Sequence, residues 1–258
     1  MDKQIISPDG TPLAYGRSGA GPAVVLVSGA MSTGGTLAPL AKRLADRFTA
    51  VVYDRRGRGA SGDTPPYAVA REVEDLAALI EAVGGEAALY GVSSGGALAL
   101  EAAASGLPVR QVAVYEPPFA QPGGEKERTE YTERLTEALA RGRRGDAVEL
   151  FLRLTGLAEQ MIQGARQSPM WADMETIAPT LAYDDAVLGG GVLPRERIAA
   201  IGVPVLAVAG GASPDWLRTS AAEVAEAAPR GTSRTLEDQT HMVDPDVLAP
   251  VLAEFFAG

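Results

Sequence analysis

The chain holds a single histidine, His241, and far upstream of it the run Tyr90-Gly91-Val92-Ser93-Ser94-Gly95-Gly96. A serine hydroxyl attacks poorly near neutral pH unless a neighbouring base removes its proton, and an imidazole is the usual base. Ser93 and His241 are therefore the candidate nucleophile and general base of an acyl-transfer chemistry. Their order, serine first and histidine near the C-terminus, suits a strand-to-helix nucleophile elbow.

The elements around Ser93 support that reading. Ala87 to Tyr90 is a short apolar run suited to a buried strand, and Ala97 to Ala104 is rich in strong helix formers. Ser93 falls on the sharp turn between them. Gly91, Gly95 and Gly96 lack side chains, which lets strand and helix come close together. The helix then begins just behind Ser93, so its unpaired N–H groups and positive dipole end face the place where an oxyanion would form. His241 follows a β-rich run, Gly231 to Leu236, and precedes a helix whose Val247, Leu248, Val251, Leu252 and Phe255 fall at helical spacing. That puts the base on a loop.

Composition narrows the class. The 258 residues suit one large α/β domain with an inserted segment, and 46% hydrophobic residues fill a sizeable core. Lys and Arg number 23 against 33 Asp and Glu, a formal net charge of −10, so nucleic acid is an unsuitable partner. With no cysteine there is no disulfide, thiol catalysis or Cys-ligated metal, and one histidine argues against a zinc site. Neither a leader-like N-terminus nor an apolar stretch near the ~20 residues of a membrane span is present, so the expectation is a cytoplasmic protein with no membrane contact. Oligomeric state is left open.

Strand and helix signals alternate along the chain. Lys3 to Ser7 and Pro12 to Arg17 form a hairpin pattern closed by Asp9-Gly10. Ala23 to Ser28 and Phe48 to Tyr53 follow as strands, separated by a helical stretch from Leu37 to Arg47. Tyr67 to Val83 reads as a helix. After the elbow come strands at Arg110 to Tyr115, Val203 to Ala209 and Gly231 to Leu236. This alternation predicts an α/β fold with a mostly parallel eight-stranded sheet covered by helices on both faces. The rhythm stops between Phe119 and about Arg197, where the pattern is helical and amphipathic. Residues 120–197 are expected to form a helical cap over the strand C-termini, with 1–119 and 198–258 as the core. Within the cap, Met170, Trp171 and Met174 are the candidate substrate-binding residues.

Taken together, these motifs resemble the α/β-hydrolase family over nearly the whole length. The landmarks are Leu26-Val27-Ser28-Gly29-Ala30 after the third strand, Asp54-Arg55-Arg56-Gly57-Arg58-Gly59-Ala60-Ser61-Gly62 after the fourth, the Ser93 elbow, Val203-Pro204-Val205-Leu206 in the seventh, and His241 after the eighth. The resemblance implies an oxyanion hole built from the backbone N–H groups of Ser94 and Ala30, with Gly29 an alternative to Ala30. Ser28 stands where many relatives carry a histidine. Asp54, in a turn dense with arginine and glycine, reads as structural.

The acid that orients the histidine departs from the common family pattern. Many relatives place it after the seventh strand; here that run is Gly210-Gly211-Ala212-Ser213-Pro214-Asp215, with Ser213 at the expected place. Asp215 is the alternative acid, although Ser213-Pro214-Asp215 also reads as the N-cap, first-turn proline and first-turn acid of a helix. Glu116, directly after the sixth strand, is preferred, because some relatives carry the acid there. Pro117 is expected to hold Glu116 extended, projecting its carboxylate from the same rim as Ser93 and His241.

The expected function is hydrolysis of a carboxylic ester or lactone of an apolar small molecule through an acyl-enzyme on Ser93, with no cofactor. Perhydrolysis, carbon–carbon bond hydrolysis and lyase chemistry are alternatives on the same fold, and a non-catalytic ligand-binding protein is a further one.

Overall fold

The computed structural model describes residues 1–119 and 124–258. Its strands are β1 (Lys3–Ile6), β2 (Pro12–Ser18), β3 (Ala23–Val27), β4 (Thr49–Tyr53), β5 (Ala87–Val92), β6 (Val109–Tyr115), β7 (Val205–Gly210) and β8 (Gly231–Leu236). They form one eight-stranded sheet in the order β1-β2-β4-β3-β5-β6-β7-β8. The first hairpin and the β2–β4 pair are antiparallel, and the remaining pairs are parallel. Every residue of β3, Ala-Val-Val-Leu-Val, is buried, as a parallel strand covered on both faces requires.

One face of the sheet is covered by α2 (Val69–Ala82), α3 (Ser94–Ala104) and α10 (Asp215–Ala227), through Leu76, Leu79, Leu98 and Val224. The other is covered by α1 (Ala38–Leu44) and α11 (Pro245–Ala257), through Leu40, Leu44, Leu248 and Leu252. Between β6 and β7 lie α4 (Glu125–Ala140), α5 (Arg144–Leu154), α6 (Glu159–Arg166), α7 (Trp171–Ile177), α8 (Leu181–Leu188) and α9 (Arg195–Ala199). Tyr131, Leu135, Val148, Trp171 and Leu181 give this helical stretch its own apolar cluster, and Ala30 and Met31 from the loop after β3 pack against it. The expected beginning of the stretch, residue 120, lies outside the described residues. Among those described, no helix is long and apolar enough to cross a membrane.

Two helix boundaries differ from the sequence reading. The stretch expected from Leu37 opens with a single 3-10 turn, Gly34–Leu37, before α1. Tyr67 lies outside α2, whose N-cap residue Ala68 is extended with φ −149° and ψ 150°; its ring stacks on Tyr183 with centroids 3.8 Å apart, and its hydroxyl donates to Glu72 over 2.8 Å.

Beneath the C-terminal edge of β4 runs a buried ionic network. Arg55 donates through Nε and Nη2 to the Glu72 carboxylate, both over 2.6 Å, and through Nη1 to Asp184 of α8 over 2.7 Å. Arg58 Nη2 donates to the other Asp184 oxygen over 2.7 Å. Arg56 pairs with Asp75 and Asp9. Asp54 stands apart as a turn closer, accepting the N–H groups of Gly34 and Ala60 over 2.9 Å each.

Burial works against the charged forms of Glu72 and Asp184, yet both are held below the ordinary carboxylate range because the Arg55 and Arg58 guanidiniums outweigh it. Since their folded pKa values lie below their unfolded ones, the stabilisation is complete above the unfolded values and is lost as pH falls through the folded values. The urea midpoint should therefore drop as pH is lowered from about 5 to about 3. At neutral pH, Arg55→Ala leaves two buried carboxylates with one guanidinium fewer and should cost about 3–5 kcal/mol in the same titration. A midpoint flat across that pH range would count against stabilisation by the Glu72 and Asp184 ion pairs.

Candidate active site

Ser93 sits between β5 and α3 with φ 56° and ψ −128°, a left-handed conformation that costs a non-glycine residue on the order of 1–3 kcal/mol. The backbone around it is crowded. A Cβ on Gly91 would lie 2.3 Å from the Gly95 carbonyl oxygen, and one on Gly95 would lie 2.4 Å from that of Val27. Both glycines are thus required for β3, β5 and α3 to meet at one point. The Ser93 N–H donates to the Tyr115 carbonyl over 2.9 Å, which joins the strained turn to the end of β6.

Glu116 follows β6 and is fully buried. Its backbone corrects the extended conformation expected from Pro117, because φ is 45° and the chain turns left-handed there. The Glu116 N–H still continues the strand pairing, donating to the Val208 carbonyl over 3.0 Å. Side-chain hydrogen bonds offset the cost of the turn. Oε1 accepts the Gly210 N–H over 2.7 Å, and Oε2 lies 2.7 Å from His241 Nδ1. Because both oxygens act as acceptors, Nδ1 is assigned the ring proton, which leaves Nε2 with a free lone pair.

The His241 loop, between β8 and α11, is fixed from beneath. The Tyr115 hydroxyl donates to the Thr240 carbonyl over 2.6 Å, and the Ala212 N–H donates to that of Gln239 over 2.9 Å. Gly210 lets the loop seat, since a Cβ there would lie 2.2 Å from the Gln239 oxygen and 2.7 Å from the Tyr115 hydroxyl. The His241 side chain remains 37% exposed against 0% for its carboxylate partner, so the ring opens toward solvent from a dry base. Tyr115 and Gly210 escaped the sequence reading. Their only local signal was position, at the ends of β6 and β7.

Asp215, the alternative acid, is directed elsewhere: its exposed carboxylate pairs with Arg218 one turn on in α10. The expected capping by Ser213 is also absent. Pro214 occupies the N-cap position, and the Ser213 hydroxyl is buried without a partner among the described residues. The oxyanion candidates lie on either side of the elbow. Ser94 is the first residue of α3, where N–H groups have no intrahelical acceptor. Gly29 packs directly against Ser93, with its notional Cβ 3.0 Å from Ser93 Cβ, and Ala30 follows it. Ser28, where many relatives carry histidine, has a buried hydroxyl with no described partner.

The apolar trio from the helical stretch divides. Met174 packs on the same cluster as Ala30 and Met31, whereas Trp171 is buried inside it and donates its indole N–H to Glu175 over 3.1 Å. Met170 is 69% exposed.

Residues 24–251 match the model of the alpha/beta hydrolase family, and the chain belongs to that family. An alpha/beta hydrolase from Sphaerobacter thermophilus is 52% identical, with a TM-score of 0.88 over 98% of this chain and 100% of that one. The enol-lactonase from Burkholderia xenovorans shares the fold at a TM-score of 0.72 and 21% identity, over 99% of this chain and 100% of its own. A pimeloyl-[acyl-carrier protein] methyl ester esterase from Stenotrophomonas maltophilia is 41% identical over 98 residues, 38% of this chain. The match spans only 36% of that relative's length.

Two substitutions test the acid. Glu116→Gln should fold normally and lower kcat for a p-nitrophenyl ester by about 10³- to 10⁴-fold, while Asp215→Asn should stay within about tenfold of the parent. The reverse ranking, with both variants folded, would assign the acid to Asp215. Gly210→Ala should likewise lose activity, with wild-type secondary structure by circular dichroism, because it displaces the His241 loop.

Proposed function

We propose that the protein is a serine hydrolase that cleaves a carboxylic ester or lactone of an apolar small molecule. The 2.7 Å contact between His241 Nδ1 and the buried Glu116, beside a serine held in a strained elbow, carries the reading. Ser93 Oγ attacks the carbonyl carbon as its proton passes to His241 Nε2, and Glu116 stabilises the imidazolium formed. The oxyanion is met by the N–H groups of Ser94 and Ala30, with Gly29 the alternative to Ala30. Collapse breaks the carbon–oxygen bond, the alkoxide leaves with the proton from His241, and water hydrolyses the acyl-enzyme by the same route. No cofactor takes part in these steps.

Residues 120–197 act as a cap in this reading, and Met174 borders the acyl or alcohol part of the substrate together with Ala30 and Met31. The pimeloyl-[acyl-carrier protein] methyl ester and the enol-lactone named in the similar proteins support an ester or lactone as the bond cleaved.

A fluorophosphonate probe should label Ser93 in the native protein and spare Ser93→Ala, with the adduct mapped by peptide mass spectrometry. A graded panel of esters and lactones then ranks substrate size. Folded protein that takes up no probe and cleaves no member of the panel would leave a ligand-binding role instead.

A further inference from the structure

The oxyanion donors are backbone groups, so something must aim them, and the structure connects both sides of the hole to one carboxylate. In a planar trans peptide, the carbonyl and the N–H that follows it point in opposite directions, so fixing one fixes the other. The Gly29 carbonyl accepts from Arg58 Nη1 over 2.6 Å and from the Ser32 hydroxyl over 2.7 Å. Those two bonds set the direction of the Ala30 N–H. One peptide earlier, the Ser28 carbonyl accepts from Arg55 Nη1 over 3.3 Å, which sets the Gly29 N–H. Asp184 holds both guanidiniums, Arg58 through Oδ2 and Arg55 through Oδ1, each over 2.7 Å. On the other side of the hole, the Ser94 hydroxyl donates to the same Oδ1 over 2.8 Å. The two arginines, Asp184 and Ser94 are buried: Arg55 0% exposed, Arg58 and Ser94 1%, Asp184 4%.

We propose that Asp184 of α8 and Arg58 of the turn after β4 are positioning residues that set the oxyanion hole, with Asp184 clamping the β3 loop through Arg58 and the first turn of α3 through Ser94. The inference rests on the serine-hydrolase reading. A lysine at 58 keeps the positive charge but has a single ammonium in place of the fork that bonds Gly29 and Asp184 together. The ground-state substrate gains little from a well-aimed hole and the transition state gains much, so the signature of a misaimed one is a loss in kcat with KM retained.

Arg58→Lys should lower kcat for a p-nitrophenyl ester by about tenfold to a hundredfold, below the loss expected from deleting a donor outright, with KM within about twofold. Inhibition by trifluoroacetophenone, whose serine-bound hemiketal presents an oxyanion, should weaken by a similar factor. The acid limb of the kcat/KM profile, which reports His241, should not move. If Arg58→Lys does not fold, Ser94→Ala removes one hydroxyl and leaves both arginine pairs; it should show the same split at about threefold to tenfold. A folded variant that keeps kcat and inhibitor affinity, or that raises KM alone, overturns the positioning role. Wild-type protein that neither turns over nor takes up fluorophosphonate sinks the hydrolase reading itself.

Discussion

Everything at the candidate site depends on how closely three backbone segments meet at Ser93. A side chain on Gly91 or Gly95 would drive a carbon to within 2.4 Å of a carbonyl oxygen, so β3, β5 and α3 converge only because those positions are bare. The convergence forces Ser93 into a left-handed turn and places the opening N–H of α3 beside the loop after β3. Neighbouring strands supply the rest. The Tyr115 carbonyl at the end of β6 holds the Ser93 N–H, and the residue after Tyr115 is the carboxylate that meets His241.

That adjacency shows how a carboxylate after β6, rather than one after β7, comes to meet His241. Gly210 presents its N–H to Glu116, and its missing side chain makes room for the Gln239 carbonyl and the Tyr115 hydroxyl that support the histidine loop. The end of β7 has become the bed on which the pair rests. Asp215 is left as a surface partner of Arg218. The left-handed turn at Glu116 is a strain of the kind that functional sites retain, here offset by two 2.7 Å contacts to its carboxylate.

The legible parts of this molecule were those with local causes. The sheet and its covering helices follow from runs of apolar residues, and the elbow from glycines within four positions of Ser93. Glu116 could be placed on the rim because a strand ends there, but its conformation could not: the bias from Pro117 is local, whereas the pull of Gly210 and His241 acts across 94 and 125 residues. The Asp54 to Gly62 run was recognisable as a landmark, and yet nothing in it revealed that Arg55 and Arg58 share Asp184, which lies 129 and 126 residues away. Likewise Ser213-Pro214-Asp215 has the composition of a helix start, but burial of Ser213 removed its hydroxyl from the cap.

Asp184 also bears on how freely the segment between β6 and β7 could be replaced. Replacement is simplest when such a segment merely lies against the core. Here it contributes one of the two carboxylates that balance Arg55 and Arg58. A transplanted segment without an acid at that place would strand an unmatched positive charge beside the Ser93 elbow. Exchange of the helical segment in this chain therefore has to bring an acid to that place or change the Arg55–Arg58 turn with it, because the join lies deep inside the fold.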